Sequence, residues 1–249
     1  MMKTALVTGG AKRIGASIVK DLADHGFNVA IHSVSSKKSA QELCEFALNA
    51  GVNACVVTGD LRETKTAKKV FHTAVENLGP IDLLINNASI FNDDRADVFD
   101  EDAWDTHFDI HLKAPAILAA EMASQAMPLG LIVNIIDQRV LRLNPNFFSY
   151  TLSKSALWTA TRTMAMSFAP RIRVNAIGPG PTLKNARQAP EDFQKQQDGL
   201  LLKQGPDLSE FGATIRYLYE NRSITGQLIA LDGGQHLAWE TPDIVGIVE

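Results

Sequence analysis

Short apolar runs rich in β-branched residues alternate with longer amphipathic stretches along nearly the whole chain, and few folds accept that rhythm. The runs lie at 4–8, 28–32, 54–58, 83–86, 131–136, 173–176 and 227–231. Helical patterns occupy 14–25, 38–50, 64–78, 104–127, 149–169 and 207–220. A strand that is apolar on both faces must be covered on both, and helical crossovers between parallel strands do this. Right-handed crossovers then build a doubly wound sheet. The expectation is an α/β fold: one domain over residues 1–249, with a parallel seven-stranded sheet and helices on both faces.

One segment breaks the rhythm. Residues 178–205 are rich in Pro, Gly, Gln and Asn, with only a short helical patch near 191–197. Long irregular stretches in compact domains are usually lids or binding loops, so this is the expected substrate loop. Its part 183–205 is expected to close over a substrate, although Lys184, Asn185, Arg187 and Gln188 do not spell out a ligand. The tail 240–249 either covers a neighbour or frays.

Composition narrows the partners. The net charge of −4 offers no basic stripe to meet phosphates, which argues against a nucleic-acid binder. The pairs Lys37-Lys38 and Lys68-Lys69 read as solvated helix faces. Cys44 and Cys55 are too few for a disulfide framework and lack metal-ligand spacing, so no metal is expected. Both read as core residues before reactive thiols. The first apolar run is too short for a signal peptide, and no run is long enough to span a bilayer. A cytoplasmic protein without a membrane partner is expected.

The first strand ends in Thr8-Gly9-Gly10-Ala11-Lys12-Arg13-Ile14-Gly15 and leads into a helix. In a Rossmann fold such a turn lets backbone N–H groups and the helix dipole meet a pyrophosphate. The middle glycine of the usual pattern is replaced by Arg13, which is either a surface residue or a cation beside the phosphate site. At the end of the second strand, where an NAD enzyme normally carries a carboxylate, the chain reads Ile31-His32-Ser33-Val34-Ser35-Ser36-Lys37. Hydroxyls, His32, Lys37 and Arg13 suit a ribose 2′-phosphate instead, which favours NADPH. Asp60-Leu61 is placed to bracket the adenine. Asn86-Asn87-Ala88-Ser89 lies beside the central crevice.

Tyr150-Thr151-Leu152-Ser153-Lys154 opens a long helix, and the i, i+4 spacing puts Tyr150 and Lys154 on one face. An adjacent ammonium is expected to lower the phenol's pKa and suit it to proton relay. These motifs, with Asn175, Pro179-Gly180 and Asp232-Gly233-Gly234, resemble the short-chain dehydrogenase/reductase superfamily across residues 3–237. The resemblance implies Tyr150 as proton donor and Lys154 as anchor of the nicotinamide ribose and tuner of Tyr150.

Departures from the family at large narrow the reading. Asp137 stands where a serine usually polarises a substrate carbonyl, and Gln138 and Arg139 follow. An ionised carboxylate cannot donate that hydrogen bond, but it can accept from an amino-substituted ring. Phe91 follows the fourth strand, where it either packs or sandwiches a flat substrate. Taken together, Arg13, Ser89, Phe91, Asp137, Tyr150 and Lys154 resemble the pteridine reductase and dihydromonapterin reductase branch. That resemblance implies hydride transfer from NADPH to a pterin C=N bond, with Asp137 and Tyr150 supplying the proton. Phe91 would stack on the pterin, while Ser89 and Arg13 would meet its polar edge and the cofactor phosphates.

His111 stands where the superfamily has an asparagine that holds a relay water. It either holds a water too or is a buried residue satisfied by a backbone carbonyl. Pro179, Gly180 and Thr182 would hold the nicotinamide carboxamide, and Gly180 would also border the substrate. Together with Gly9, Ile14, Gly15, Asn87 and Ala88 they complete the expected cofactor site. The resemblance implies a homotetramer, with Trp239 packing on a neighbour. Two alternatives are a generic carbonyl reductase acting on 3-oxoacyl or ketone substrates, and a non-catalytic NADPH-binding sensor.

Overall fold

The structure, a computed structural model, describes residues 3–126, 129–185 and 188–246. Its strands are β1 Lys3–Val7, β2 Phe27–Ser33, β3 Ala54–Thr58, β4 Leu83–Asn86, β5 Gly130–Ile135, β6 Ile172–Pro179 and β7 Leu228–Leu231. All pairings are parallel, and the order is β3-β2-β1-β4-β5-β6-β7. The sheet is the doubly wound, seven-stranded one that the alternation requires. The order reverses between β1 and β4, so the loops leaving their carboxyl ends part and open a crevice.

Helices α1 Arg13–Asp24, α2 Lys37–Asn49 and α8 Leu208–Glu220 cover one face. Ile18, Val19 and Leu22 of α1 pack there with Phe211 and Ile215 of α8 over Ala5 and Val7. Leu6, the residue between them, points the other way, toward Val70 and Phe71 of α3 Thr64–Leu78. Each such Leu or Ile removed from water contributes about 1.5–3 kcal/mol.

The stretch expected as one helix over 104–127 is divided. It runs as α4 Glu101–Phe108, a π turn Asp109–Lys113 and α5 Ala114–Ser124. Pro115 has no N–H to return to the carbonyl one turn back, and the Ala114 N–H reaches Asp109 O, five residues away. Met127 and Arg187 lie outside the described residues. The chain re-enters at α6 Phe148–Phe168, after Phe147 at φ 58°. The irregular segment expected to cover a substrate holds α7 Pro190–Asp198, one residue longer at each end than its sequence patch suggests. Cys44 is buried and Cys55 half-buried; desolvation raises both thiol pKa values, that of Cys55 to about 11, which leaves it protonated at neutral pH. Among the described residues no helix is long and apolar enough to cross a membrane.

Candidate active site

The turn after β1 is locked from three sides. The Thr8 hydroxyl donates to Ile85 O at 3.1 Å and accepts the N–H groups of Asn87 and Ala88 at 2.9 and 3.0 Å. The Asn87 amide returns two bonds, to Thr8 O at 2.9 Å and Gly9 O at 3.1 Å. Gly9 sits at φ +60°, and a Cβ on Gly15 would run into Gly9 O and the Asn87 amide. The turn is therefore pinned to the end of β4 with no side chain between its backbone and the crevice. That bare backbone at the start of α1 suits a pyrophosphate.

His32 is placed differently from expectation. It is buried, it accepts the Gly9 N–H on Nδ1 at 3.1 Å, and its Nε2 meets Gly59 O at 2.8 Å. Burial lowers its pKa, so the ring is neutral and buttresses the turn. The expectation that it meets a 2′-phosphate is corrected: both nitrogens are engaged inside the protein. Ser33 accepts the Ser36 N–H at 3.0 Å. Asp60 is held by Arg62, whose Nη2 lies 2.6 Å from Oδ2, and Leu61 is buried in the core. Neither lines the crevice.

Arg13 lines it, at φ 52°, but its guanidinium reaches across to the substrate loop. It donates to Leu183 O and Lys184 O, each at 3.1 Å. Lys12, which the motif reading passed over, lines the crevice beside Arg13, Ile14 and Gly15. Gly180 donates its N–H to Leu231 O at 2.8 Å, and the Thr182 hydroxyl donates to Gly180 O at 3.1 Å. Pro179, Gly180 and Thr182 thus form the wall facing Asn87, Ala88 and Ser89 across a cleft of about 1030 Å³.

The candidate catalytic residues come together where β5 and α6 meet. Asp137 follows β5 and caps a short 3-10 turn, accepting the Arg139 N–H at 2.8 Å. The Tyr150 hydroxyl donates to its Oδ2 at 2.9 Å. Lys154, 2% exposed, donates to Ile135 O at 2.9 Å. Desolvation lowers the Lys154 pKa to about 8. Desolvation likewise raises that of Asp137, against the pull of the Arg139 N–H and guanidinium.

The phenol runs opposite to expectation: burial first, then the charge and hydrogen bond of Asp137, push Tyr150 well above its ordinary value. The lowering influences are Arg139 and Ser89 rather than the expected Lys154, they are outweighed, and the site holds a protonated phenol.

Phe91 stands edge-to-face with Tyr150 at 4.7 Å and stacks on Phe147 at 4.1 Å and 17°. The Arg139 guanidinium lies over both rings, 5.6 and 4.9 Å from their centroids, and 4.0 Å from the Asp137 carboxylate. Phe147 and Arg139 carry no motif, and only their nearness in sequence to Tyr150 and Asp137 could have drawn attention to them. His111 is fully buried, and its ring meets the Ser89 and Ser153 hydroxyls and the Ile90 N–H. Trp239 is exposed.

A glycine-bare turn, cations at its edge, no carboxylate after β2 and a Tyr–Lys pair across the cleft define an NADP(H)-dependent oxidoreductase. The chain belongs to the short-chain dehydrogenase/reductase superfamily. The family model described as enoyl-(acyl carrier protein) reductase matches residues 9–236.

The chain is similar to the FolM alternative dihydrofolate reductase 1 of Brucella suis, crystallised with NADP, with 57% identity over 98% of each chain and a TM-score of 0.95. It is also similar to a blue fluorescent protein from a metagenomic library, in complex with NADPH, at 30% identity, 93% and 97% coverage and a TM-score of 0.88. The 3-oxoacyl-[acyl-carrier-protein] reductase FabG of Staphylococcus epidermidis is 30% identical over 244 residues, 95% of this chain and 100% of FabG. The protein is an NADP(H)-dependent reductase.

Proposed function

We propose that this reductase acts on a pterin ring, converting a dihydropterin to its tetrahydro form, with dihydrofolate in the same substrate class. The observation that carries the reading is the Tyr150–Asp137 bond of 2.9 Å at the position where a carbonyl reductase of the superfamily would offer a serine hydroxyl. A carboxyl there suits a ring bearing amino and imino nitrogens better than a ketone oxygen. The flat face of Phe91 beside Tyr150 and the likeness to the Brucella suis FolM protein support the same reading. The likeness to FabG is weaker, and Asp137 weighs against the 3-oxoacyl alternative.

The dinucleotide, when bound, supplies a hydride to a carbon of the ring C=N bond. The turn at Gly9 and Gly15 would receive its pyrophosphate, Lys12 and Arg13 would stand at the phosphate edge, and Lys154 would hold ribose hydroxyls. The proton goes to the ring nitrogen from Tyr150. While Asp137 is ionised, it accepts the phenolic hydrogen and withholds it from the substrate. Once protonated, Asp137 donates to the phenolic oxygen instead, which frees the Tyr150 hydrogen for the ring nitrogen. The pair then regains one proton from solvent.

The test is NADPH oxidation, followed by absorbance, with dihydrobiopterin, dihydromonapterin and dihydrofolate beside a panel of ketones. Oxidation with the pterins alone is expected; oxidation with ketones alone would replace this reading by a carbonyl reductase.

A further inference from the structure

Two buried histidines stand beside the Asp137–Tyr150–Lys154 line, and they share a matching pair of bonds, to which His111 adds the Ser89 hydroxyl 2.9 Å from Nε2. His107 lies in the last turn of α4 and His111 one turn on, in the π segment; both are fully buried. The N–H of Asn92 donates to His107 Nε2 at 3.2 Å, and that of Ile90 donates to His111 Nε2 at 3.2 Å. On the opposite edges, His107 Nδ1 meets Ser149 Oγ at 2.6 Å and His111 Nδ1 meets Ser153 Oγ at 2.8 Å. A backbone N–H only donates, so both Nε2 atoms accept and the hydrogen of each neutral ring is on Nδ1. The Ser153 hydroxyl agrees, since it donates to Tyr150 O at 2.7 Å and so receives from His111.

The two rungs match in spacing. Four residues of helix rise about 6 Å, and two residues of extended chain advance about 6.6 Å. Alternate N–H groups of an extended segment can therefore meet two histidines one turn apart. The imidazoles stack at 5.5 Å and 14°, and both present their edges to Tyr150, at 5.8 and 5.2 Å. Asp94 closes the far end: its carboxylate accepts the Ser149 N–H at 3.0 and 3.2 Å, and its carbonyl accepts that of Phe148 at 3.2 Å.

The segment held in this way, 89–94, belongs to no helix or strand and carries Phe91 between the two rungs. The Ile90 and Asn92 N–H groups go to the histidines where a neighbouring strand would otherwise receive them.

We infer that His107, through Ser149 on one side and Asn92 on the other, is a positioning residue that sets the plane of Phe91 against Tyr150 and so the seat of the substrate ring. The inference rests on the reading of Phe91 as the ring's platform. His107 touches neither reacting group in this role; it acts through Phe91.

The experiment is a double-mutant cycle on the full-length protein, pairing His107→Leu with Phe91→Ala. Steady-state KM and kcat for dihydrobiopterin and the Kd for NADPH would be measured. His107→Leu is expected to raise KM roughly tenfold while NADPH binding changes less than about twofold, and to add less than about twofold once Phe91 is already Ala. His107→Gln, which returns an acceptor to Asn92, is expected to restore most of the KM. If His107→Leu does not fold, Ser149→Ala breaks the same rung and takes its place in the cycle.

Effects that multiply in the double variant would overturn the inference, as would a loss of NADPH binding in step with KM. Phe91→Ala alone leaving KM unchanged would instead remove the platform reading, and the positioning role with it.

Discussion

Tyr150 and Asp137, 13 positions apart in sequence, share one hydrogen across 2.9 Å, and the carboxylate is the acceptor. The pair is enclosed by the sheet end, by α6 and by the Phe91–Phe147 stack. Burial therefore raises both acids, and in the proposed reaction proton delivery would depend on which of the two holds the hydrogen.

Tyr150→Phe removes the only hydroxyl in that pair. Turnover is expected to fall about 10²- to 10⁴-fold, the usual span for loss of a positioned acid. NADPH binding, measured by fluorescence titration, should be unchanged, because the cradle at Gly9, Gly15 and Asn87 does not involve the phenol. Unchanged turnover would sink the assignment of Tyr150 as donor.

Asp137 is raised above its ordinary value by desolvation, so the folded state holds this proton more tightly than the unfolded chain does. Its contribution to stability is present below the ordinary carboxyl range and is lost as pH rises through the raised folded value. Asp137→Asn keeps an acceptor for the Arg139 N–H and removes the buried charge. The variant should melt above the parent at neutral pH, with the gap closing at pH 3–4; each kcal/mol shifts Tm by about 2–4 °C at this chain length. A gap that does not vary with pH in thermal melts would contradict the sign. The catalytic rate of the parent should also fall as pH rises, since only the protonated carboxyl frees the phenolic hydrogen.

Gly15→Ala puts a methyl group against Gly9 O and the Asn87 amide. Backbone lies on one side, so the turn must shift, at a cost of about 1–3 kcal/mol for an overpacked site. Affinity for NADPH should drop at least tenfold, read by isothermal titration. An unchanged Kd would show that the turn does not cradle the pyrophosphate.

Arg13→Ala frees the carbonyls of Leu183 and Lys184 from their bonds of 3.1 Å. Hydrogen exchange should rise across 183–205, and KM for NADPH should increase about 3- to 10-fold, as expected for losing hydrogen bonds from a charged donor. A drift toward equal use of NADH would add a phosphate role to the loop role. No change in exchange would mean that the loop is held elsewhere.

Much of this site was legible in one dimension. Tyr150 and Lys154 declare themselves by the i, i+4 spacing, and the Gly9–Gly15 turn by its place between a strand and a helix. Asp137 showed itself by standing where a hydroxyl would be expected. The Leu6 and Val7 faces follow from a period of two, and β4 and α3 have the same boundaries in sequence and structure. Less regular pieces escaped. The break at Asp109–Lys113 depends on one proline inside an otherwise smooth helical pattern. Phe147 gives no periodic signal, because its left-handed backbone lies just before the helix.

His32 and Arg13 show the limit most clearly. His32 looks like a cation near a phosphate yet is a neutral buttress under Gly9, and Arg13, at the edge of the cleft, is also a strap to a loop about 170 residues away. The His107–Ser149 rung joins residues 42 apart, and nothing local marks either as a partner.

The sequence by itself determined the alternation of strands and helices, hence the doubly wound sheet, the crevice at its reversal and the candidates for the proposed proton-handling pair. Those depend on periodicity and on near neighbours along the chain. Tertiary structure alone decided which groups are charged, which way the hydrogens point and where Phe91 is held, because desolvation and hydrogen-bond partnership depend on what encloses a side chain.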